Sequence, residues 1–478
     1  MAAIRRIAIL GGGVAGWMSA LGLSRALEGS GIAIDLVETR GSDHSIGPFG
    51  VGEASLPAFH LFLGEYGVDE DALLRAARGT FALGSAFAGW AGAQPGWFLP
   101  FGDVGVGMGS IAFPPLVAKL RAAGHPVRPT DFSLAAVAAA AGRFARPSLD
   151  PRSVLSSYGY GLHLDKAALA AICRGLAQNI THHEAPFVQA IRAENGHITA
   201  LEIEGGVQIA GDLFLDCSGP AALLGQDHGF ESWSEWLPCD RVLERSTAQD
   251  GVPPPYTHIS AHAAGWLRSV PLIGGPSEAM FFSSVHHDDP AAIAIHQGRR
   301  TRAWAGNVIA IGAAAALVEP LHGHALQLVH NAIRRLIALF PNNVEGPEAA
   351  EYNRITAQEA DRVRDFVIAH YKTNARTGEP FWEAARAMSV PPELQYKLDL
   401  YASRGRMPMY DEELFDRAEW IAMLDGQGMH PRRYDAIADT VPEPAIIQHV
   451  TRLRELIVDA AKAMPSHGAT LAQIANGA

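Results

Sequence analysis

Four residues near the start of the chain have the types and the spacing needed to bind a dinucleotide. Gly11, Gly13 and Gly16 form a GxGxxG pattern in the run Gly11-Gly12-Gly13-Val14-Ala15-Gly16. The first glycine permits a tight turn, the second lets a pyrophosphate approach the backbone, and the third lets a helix pack on a strand. Glu38 follows 22 residues after Gly16 and can accept hydrogen bonds from ribose hydroxyls. These residues, with Val14 and Ala15, are the predicted nucleotide contacts.

The segments on either side of this glycine loop are those that a dinucleotide-binding fold requires. Residues 4–10 predict a strand before the loop, and residues 17–27 predict a helix after it. A second predicted strand, residues 32–37, ends directly before Glu38. The first amides of such a helix point toward bound phosphates. An ordinary glycine-rich turn is the alternative, and the motif alone does not separate FAD from NAD.

A second group of residues, near position 320, has the features of another cofactor-facing loop. A predicted strand, residues 304–312, leads to Glu319-Pro320-Leu321-His322-Gly323-His324, and a helix is predicted over residues 325–340. The positive end of that helix dipole would face the loop and favour negative charge. Two such loops favour FAD over NAD. The predicted cofactor contacts here are Gly312, Pro320, Gly323 and His324.

The segment Val51-Gly52-Glu53-Ala54 is a third candidate cofactor contact, and it follows a turn-rich stretch over residues 41–50. Glu53 lies between a glycine and a small residue and could face a cofactor. Composition alone favours a helix-capping loop instead, because an apolar helical pattern follows over residues 57–66.

Composition and charge exclude several classes of function. The chain has 478 residues, of which 48% are hydrophobic, and a formal net charge of −12. This charge argues against a nucleic-acid-binding protein, and no run of about 18 apolar residues predicts a membrane helix. The three cysteines lack paired spacing and are predicted to be free thiols. The sequence predicts a soluble, cytoplasmic protein without a signal peptide, and the histidine pairs lack the spacing of metal ligands.

The remaining segments predict a mixed α/β chain. Strands are predicted over residues 80–90, 182–189, 191–204, 207–217, 257–273 and 279–286, with a hairpin turn at Asn195-Gly196. Helices are predicted over residues 162–176, 350–371 and 443–463. A strand that ends in Asp216-Cys217-Ser218-Gly219 is typical of one that returns to the sheet near the glycine loop. The predicted fold class is α/β, with a Rossmann-like FAD-binding domain, a substrate β-sheet and a helical C-terminal region.

Several motifs together resemble those of flavin-dependent tryptophan halogenases. They are Gly11-x-Gly13-x-x-Gly16-Trp17-x-x-Ala20, Gly50-Val51-Gly52-Glu53-Ala54-Ser55-Leu56-Pro57, Phe214-Leu215-Asp216-Cys217-Ser218-Gly219, Phe282-Ser283-Ser284, Gly298-Arg299 with Arg302-Ala303-Trp304, Glu319-Pro320-Leu321, and Arg364-Asp365-Phe366-Val367-x-Ala369-His370-Tyr371 with Pro380-Phe381-Trp382. The resemblance covers about residues 1–435. It implies a FAD-binding domain of the flavin monooxygenase type and a pyramid-like helical substrate region.

The resemblance also implies a division of the chain and a set of partners. Residues 1–100, 160–225 and 295–345 are expected to form a discontinuous FAD-binding module. Residues 101–159, 226–294 and 346–478 are expected to form the substrate-binding and helical region. The expected partners are a small aromatic substrate and a separate flavin reductase that supplies reduced FAD. Neither nucleic acid nor membrane is expected, and a homodimer is one candidate assembly.

The residues that transfer halogen in that family are absent from the matching positions. The resemblance places a lysine, which carries the activated halogen, where this chain has Ala82. It places a glutamate where this chain has His322. The family's Ser-Thr-Gly sequence, whose backbone helps to bind halide, corresponds to Gly323-His324-Ala325. The half of the family pattern that holds the cofactor therefore matches, and the half that transfers halogen does not.

The substrate residues match the family only in part. Trp266 is retained in the tryptophan-rich strand, whereas Arg268 stands where a second tryptophan is expected. Arg268 could bind a substrate carboxylate bidentately, or it could be a buried residue paired with an acid. The aromatic pair that clamps the indole corresponds to Trp420-Ile421. The predicted substrate contacts are thus Trp266, Arg268 and Trp420.

Three functions remain open. In the family, reduced flavin and oxygen give a flavin C4a-hydroperoxide, which halide then attacks. We expect a FAD-dependent oxidoreductase that keeps the first stage for monooxygenation or oxidation of a small aromatic molecule. His322 would be its catalytic acid or base, although it could equally be a loop side chain bonded to backbone. The alternatives are a halogenase with an unusual relay residue, for which Lys166 is the candidate, and a non-catalytic flavin-binding protein.

Overall fold

A computed structural model describes residues 4–38, 51–92, 96–343 and 346–477. The chain divides into two units, each built from three separate segments. Unit 1 comprises residues 1–79, 164–245 and 289–362, and unit 2 comprises residues 80–163, 246–288 and 363–478. The predicted turn-rich stretch 41–50 lies outside the described residues. The division into a FAD-binding module and a substrate region remains a prediction.

The strands are numbered in chain order. They are β1 Arg6–Leu10, β2 Ala33–Glu38, β3 Gly52–Ala54, β4 Thr80–Ala82, β5 Gly84–Ala88, β6 Trp97–Pro100, β7 Gly161–Asp165, β8 Ile180–Glu184, β9 Phe187–Arg192, β10 Ile198–Ile203, β11 Val207–Ala210, β12 Leu213–Asp216, β13 Phe230–Ser232, β14 Arg241–Ser246, β15 Thr257–His262, β16 Gly265–Val270, β17 Ser277–Phe282, β18 Ile293–Ala294, β19 Gly298–Arg300, β20 Trp304–Ala305, β21 Val308–Ala310 and β22 Ala316–Leu317.

The α-helices are numbered in the same way. They are α1 Val14–Ala26, α2 His60–Tyr66, α3 Glu70–Ala76, α4 Phe113–Ala122, α5 Leu134–Ala140, α6 Lys166–Leu176, α7 His324–Ala338, α8 Glu348–Lys372, α9 Pro380–Ala387, α10 Pro392–Arg404, α11 Arg417–Gly426, α12 Glu443–Ala463 and α13 His467–Ala475. In the ranges that the structure describes, none of the helices has the length and the apolar character needed to cross a membrane.

The central sheet of unit 1 is mostly parallel and has six strands in the order β20-β21-β12-β1-β2-β8. In the middle of the sheet, Leu10 lies beside Asp216 of β12 on one side and Val37 of β2 on the other. The strand that ends at Asp216 therefore returns beside the glycine loop, as predicted. Because the carboxyl ends of parallel strands meet at one edge, the loops after β1, β12 and β21 lie together. Helix α1 packs against α6 and α7.

A smaller antiparallel sheet, β11-β10-β9, covers part of this sheet. Its apolar residues Ile198 and Leu201 pack with Leu10 and Phe214 of the central sheet in one buried cluster. The turn between β9 and β10 contains Gly196 at φ +84°, a conformation that glycine adopts without strain. The predicted hairpin at Asn195-Gly196 is confirmed.

Unit 2 contains a sheet with the strand order β17-β16-β15-β5-β6 and an aromatic cluster. The ring of Trp266 stacks on Phe281 at 4.4 Å, and its indole N–H donates to the hydroxyl of Tyr371 at 2.9 Å. Trp90 packs edge-on against Trp382, with ring centroids 4.8 Å apart. These large rings supply much of the buried apolar area that stabilises this unit.

Several predicted elements differ from the structure, since the strands predicted over residues 257–273 and 304–312 are each two strands. For three others a single residue explains the difference. Residues 80–90 form two strands, because Gly84 at φ +147° breaks the extended run between β4 and β5. Residues 162–165 belong to β7, and the helix begins at Lys166 because the Asp165 carboxylate accepts from the Ala167 amide at 2.9 Å. Residues 182–189 belong to two sheets, since Pro186, which has no amide hydrogen, lies between β8 and β9.

Candidate functional site

A cavity of about 660 Å³ lies at the carboxyl edge of the central sheet in unit 1. Its lining includes eight of the predicted cofactor contacts, namely Gly11, Gly13, Val14, Ala15, Glu38, Glu53, Gly312 and His324. The other six predicted contacts are not among the described lining residues, and they are Gly16, Val51, Gly52, Ala54, Pro320 and Gly323. The structure therefore brings the glycine loop, the segment around residues 312–324 and Glu53 to one cavity.

The glycine loop is held so closely that side chains would not fit. Gly11 has φ +122°, and a Cβ there would lie 2.3 Å from the carbonyl oxygen of Cys217. A Cβ on Gly16 would lie 1.8 Å from the carbonyl oxygen of Gly11, so α1 can approach β1 only through a glycine. Gly13 precedes the first turn of α1 and offers no capping side chain. The first amides of the helix thus remain available to an anionic ligand at the cavity.

Glu38 is fixed at the wall of the cavity by two neighbours. A Cβ on Gly12 would lie 2.2 Å from Cγ of Glu38, so this side chain lies directly over the loop. On the other side, Nε2 of His182 is 2.9 Å from a carboxylate oxygen of Glu38. The His182 ring in turn packs edge-on against Trp17, with centroids 5.2 Å apart. The carboxylate is therefore oriented before a ligand binds.

Helix α6 contributes lining residues that the sequence reasoning missed. Lys166, Ala170 and Arg174 all line the cavity, and the guanidinium of Arg174 lies 5.5 Å from the Trp17 ring centroid. A spacing of four residues places these side chains on one face of a helix, which is the signal that could have found them. The prediction started this helix at residue 162 and considered Lys166 only as a candidate halogen relay. The two cations add positive charge to the site.

The loop before α7 contacts the Gly52–Ala54 strand. A Cβ on Gly323 would lie 2.3 Å from the carbonyl oxygen of Ala54, so these two predicted segments touch. His322 is buried, with 3% of its surface exposed, and is not among the described residues that line the cavity. His324, the first residue of α7, does line it. The catalytic candidate His322 therefore lies beside the cavity wall rather than on its surface.

The predicted substrate residues lie in the core of unit 2. Trp266 and Arg268 point to the same buried face of β16, and Arg268 is 2% exposed. Trp420 is fully buried and donates its indole N–H to Glu413 at 3.0 Å, with Nζ of Lys397 lying 4.1 Å from its ring centroid. Neither of the two large cavities found in the described chain has any of the three in its lining. Their contact with substrate remains a prediction.

Ala82 lies at the end of β4, with 1% of its surface exposed, and pairs with Gly161. The residues before it are tightly packed, because Phe81 stacks on Phe144 at 3.9 Å and the hydroxyl of Thr80 donates to the Pro271 carbonyl at 2.8 Å. Nδ1 of His163 also lies 2.8 Å from that hydroxyl. The position where the resemblance expects a lysine is thus a buried methyl group.

Comparison with known proteins decides the family. The family model described as tryptophan halogenase matches residues 6–443. The chain belongs to the tryptophan halogenase family. BrvH, a flavin-dependent halogenase from Brevundimonas sp. BAL3, is 34% identical to this member and has a TM-score of 0.93, with 98% of this chain and 99% of that one covered. Xcc4156, a flavin-dependent halogenase from Xanthomonas campestris, is 32% identical with a TM-score of 0.92, and 99% of each chain is covered.

The sequence of a further relative also places the chain in the tryptophan halogenase family. Tryptophan 7-halogenase KtzQ of Kutzneria sp. (strain 744) is 30% identical over 451 residues, which cover 85% of this chain and 83% of that protein. The resemblance stated from the motifs is confirmed, as is the α/β fold class with a Rossmann-like FAD-binding domain. FAD is the cofactor of this flavin-dependent family, which confirms the choice of FAD over NAD.

The cavity in unit 1 suits FAD. Its volume lies within the range of about 300–1,000 Å³ that is usual for ligand sites. The glycine loop and the open amides of α1 would hold the pyrophosphate, and Glu38 would accept hydrogen bonds from a ribose. Lys166 and Arg174 add charge of the sign that a diphosphate requires.

Proposed function

We propose that this tryptophan halogenase family member oxidises or monooxygenates a small aromatic molecule with FAD and without a lysine relay. A separate flavin reductase would supply the reduced cofactor. The observation that carries this proposal is the buried methyl group of Ala82 on β4. A methyl group can neither form a haloamine nor hold hypohalous acid by a hydrogen bond.

The distribution of lysines supports the proposal, since the whole sequence contains five. Nζ of Lys119 donates to the carbonyls of Ala438 and Val441. Nζ of Lys372 donates to two other carbonyls, and Lys397 is buried in an ion pair with Glu413. Lys462 is exposed on α12. In unit 2, therefore, each lysine amine either donates to a carbonyl, forms a buried ion pair or lies on the surface.

The protein's own residues have three roles in this proposal. When bound and reduced, FAD supplies the electrons that activate dioxygen. The glycine loop and the first turn of α1 hold the pyrophosphate, and Glu38 orients a ribose. His322, which is buried beside the wall of the cavity, would exchange a proton with the substrate or with water that reaches it from the site.

Halogenation is the second candidate function, and two observations favour it. The relatives BrvH, Xcc4156 and KtzQ are all named as halogenases. We call the cavity in unit 1 the dinucleotide cavity. Lys166 lines it and is half-buried, so it offers an ammonium group at the wall of that site. In this alternative, Lys166 rather than the residue at position 82 would receive the activated halogen.

One product assay separates the two candidates. The protein is supplied with reduced FAD, oxygen, bromide and a panel of indoles and phenols, and the products are identified by mass spectrometry. Our proposal expects an oxygenated or dehydrogenated product whose yield does not depend on bromide. A brominated product that disappears in Lys166→Met while FAD binding is retained would establish the second candidate and overturn the first. FAD binding with no product from any substrate would favour a non-catalytic flavin-binding protein.

A further inference from the structure

Unit 2 contains a second cavity, of about 600 Å³, which has no role in the proposed chemistry. We call it the unit 2 cavity, and it is lined by residues of α4, α10 and α11 and of the segment 430–439. Its walls are largely apolar and include Phe113, Pro115, Val117, Ile421 and Pro431. A cavity of this volume with apolar walls suits the ring system of a small organic molecule.

The two acidic side chains in the lining already have cationic partners. Asp425 accepts from Nη2 of Arg121 at 3.1 Å, and Nδ1 of His430 lies 3.2 Å from its carboxylate. Burial opposes ionisation of Asp425, but hydrogen bonds from His430 and Arg121 outweigh it and hold the pKa of this carboxyl below its ordinary value. Asp439 accepts from the Tyr434 hydroxyl at 2.9 Å and lies 3.3 Å from Nζ of Lys119. These carboxylates therefore leave no excess negative charge in the cavity.

Three further arginines line the same cavity, Arg404, Arg432 and Arg433, and all three are exposed. In the described ranges of the chain, the side chains of Arg432 and Arg433 form no ion pair. The lining thus carries four arginines and two aspartates, in a protein whose net charge is −12. Local charge opposite in sign to the whole protein, beside apolar walls, favours a ligand that is both apolar and anionic.

We propose that the unit 2 cavity binds an aromatic carboxylic acid, with its ring against the apolar walls and its carboxylate on Arg432 and Arg433. Guanidinium groups bind carboxylates through paired, charge-assisted hydrogen bonds. The lining shares no residue with the dinucleotide cavity and does not include the predicted substrate contacts Trp266, Arg268 and Trp420, whereas Ile421, the second residue of the aromatic-pair position, forms part of one wall. The proposal does not depend on the proposed chemistry, because its test measures binding without turnover.

The test is calorimetric titration of the full chain saturated with FAD, so that the dinucleotide cavity is occupied. The probes are 2-naphthoate, the neutral analogue 2-naphthalenemethanol, and inorganic phosphate. We expect 2-naphthoate to bind about tenfold more tightly than the alcohol, as one charge-assisted contact would give, and phosphate to bind more weakly than 2-naphthoate. Absence of 2-naphthoate binding, or phosphate binding as tight as that of 2-naphthoate, would overturn the proposal.

Two variants assign the binding to this cavity. Arg432→Gln/Arg433→Gln removes two exposed charges and should weaken 2-naphthoate binding about tenfold while leaving the alcohol unchanged. Arg417→Gln/Arg452→Gln removes two exposed charges outside the lining and is the matched control. Ala418→Trp should fill the cavity and block both naphthalene probes. Equal 2-naphthoate affinity in the first variant and the control, or unchanged binding in Ala418→Trp, would contradict the site.

Discussion

Two histidine–carboxylate pairs join β2 and β8, and only one of them reaches the cavity in unit 1. His182 lies 2.9 Å from Glu38, which lines the cavity, and His183 lies 2.8 Å from Asp35, which does not. Neighbouring residues on a strand point to opposite faces of the sheet, so the two pairs are chemically matched but differently placed. Variants of the two histidines can therefore show whether FAD affinity depends on the orientation of Glu38 or only on the pairing of the two strands.

We predict that His182→Ala weakens FAD binding about three- to tenfold, because Glu38 loses the partner that orients it. His183→Ala removes the matched pair and should change FAD affinity by less than about twofold. Fluorescence titration of FAD against each variant, at the same salt concentration, measures both values. Equal losses in the two variants would mean that the pairs act only through the stability of the sheet.

We predict that Ala82→Lys destabilises the fold by about 2–4 kcal/mol, because it forces an ammonium group into a buried position. It should not create halogenase activity, since His322 and Gly323-His324-Ala325 also depart from the family pattern. Urea unfolding gives the stability, and mass spectrometry after reaction with bromide gives the activity. Ala88→Lys, on the partly exposed end of β5, is the control for an added charge. Bromination by Ala82→Lys would show that the relay alone is missing.

Sequence reasoning found the residues whose function depends on local chemistry and missed those placed by tertiary packing. Gly11, Gly13 and Glu38 were predicted as cofactor contacts from one short motif and one spacing, and all three line the cavity. Arg174 reaches the same cavity because α6 packs against α1. The four-residue spacing places Arg174 on one face of α6, but it does not show which element that face meets. No local signal indicated that Trp420 would be fully buried and would donate to Glu413. The burial of its ring depends on contacts with Phe366 of α8 and Lys397 of α10.

At the scale of elements, the contact between α1 and the glycine loop after β1 leaves no room for a side chain. Gly16 allows this contact, since a Cβ would lie 1.8 Å from the carbonyl oxygen of Gly11. By contrast, a Cβ on Gly64 in α2 would meet no atom within 4 Å. Two glycines in helices of the same unit therefore differ in whether a methyl group can be accommodated.

We predict that Gly16→Ala lowers the free energy of unfolding by about 1–3 kcal/mol and weakens FAD binding, because the helix must move away from the strand. Gly64→Ala should be neutral or stabilising by up to about 1 kcal/mol, as expected for alanine in a helix interior. Urea unfolding and FAD titration of both variants test this. A fully stable, FAD-binding Gly16→Ala protein would contradict the close packing of α1 on β1.

Element types followed from apolar periodicity, whereas their boundaries depended on single residues. The helices over 350–371 and 443–463 were predicted correctly to within two residues. The strand over residues 80–90 was wrong because Gly84 adopts a positive φ that periodicity does not reveal. The helix over residues 162–176 was wrong at its start because the apolar residues of β7 continue its pattern. The boundaries of these elements are therefore set by single residues, such as the helix cap at Asp165 and the positive φ of Gly84, and not by the apolar pattern.

At the scale of the whole molecule, unit 2 contains three buried histidines, and two of them, His163 and His467, link distant segments. Nε2 of His163 lies 3.0 Å from the Thr257 hydroxyl, and Nδ1 of His467 lies 2.8 Å from the Pro253 carbonyl. Nδ1 of His370 lies 2.8 Å from the Phe366 carbonyl. Burial lowers the pKa of His163 to about 3 and the pKa values of His370 and His467 to about 4.

We predict that unfolding becomes easier as the pH falls below about 6.5, the ordinary pKa of histidine. Below that value the unfolded chain binds protons that the folded chain excludes, so stability falls with pH until the folded pKa values are reached. Each of the three histidines should lower the free energy of unfolding at pH 5.5 by about 1.4 kcal/mol relative to its value at pH 7.5. Urea unfolding of the native protein and of His163→Gln at the two pH values isolates one of these contributions, because the raised pKa of Glu419, about 8, acts in the opposite direction but equally in both proteins. His163→Gln should change the difference between the two pH values by about 1.4 kcal/mol. An identical pH dependence of the two proteins would refute the prediction.

The discontinuous layout of unit 1 has a consequence for synthesis on the ribosome. β1 is translated first, yet its neighbour β12 ends at Asp216 and the next strand, β21, ends at Ala310. The wall of the cavity continues as far as Val329. At typical elongation rates, tens of seconds separate the glycine loop from the last of these residues. A nascent chain must therefore keep its first strand from aggregating for that time, and the cofactor can be captured only late in translation.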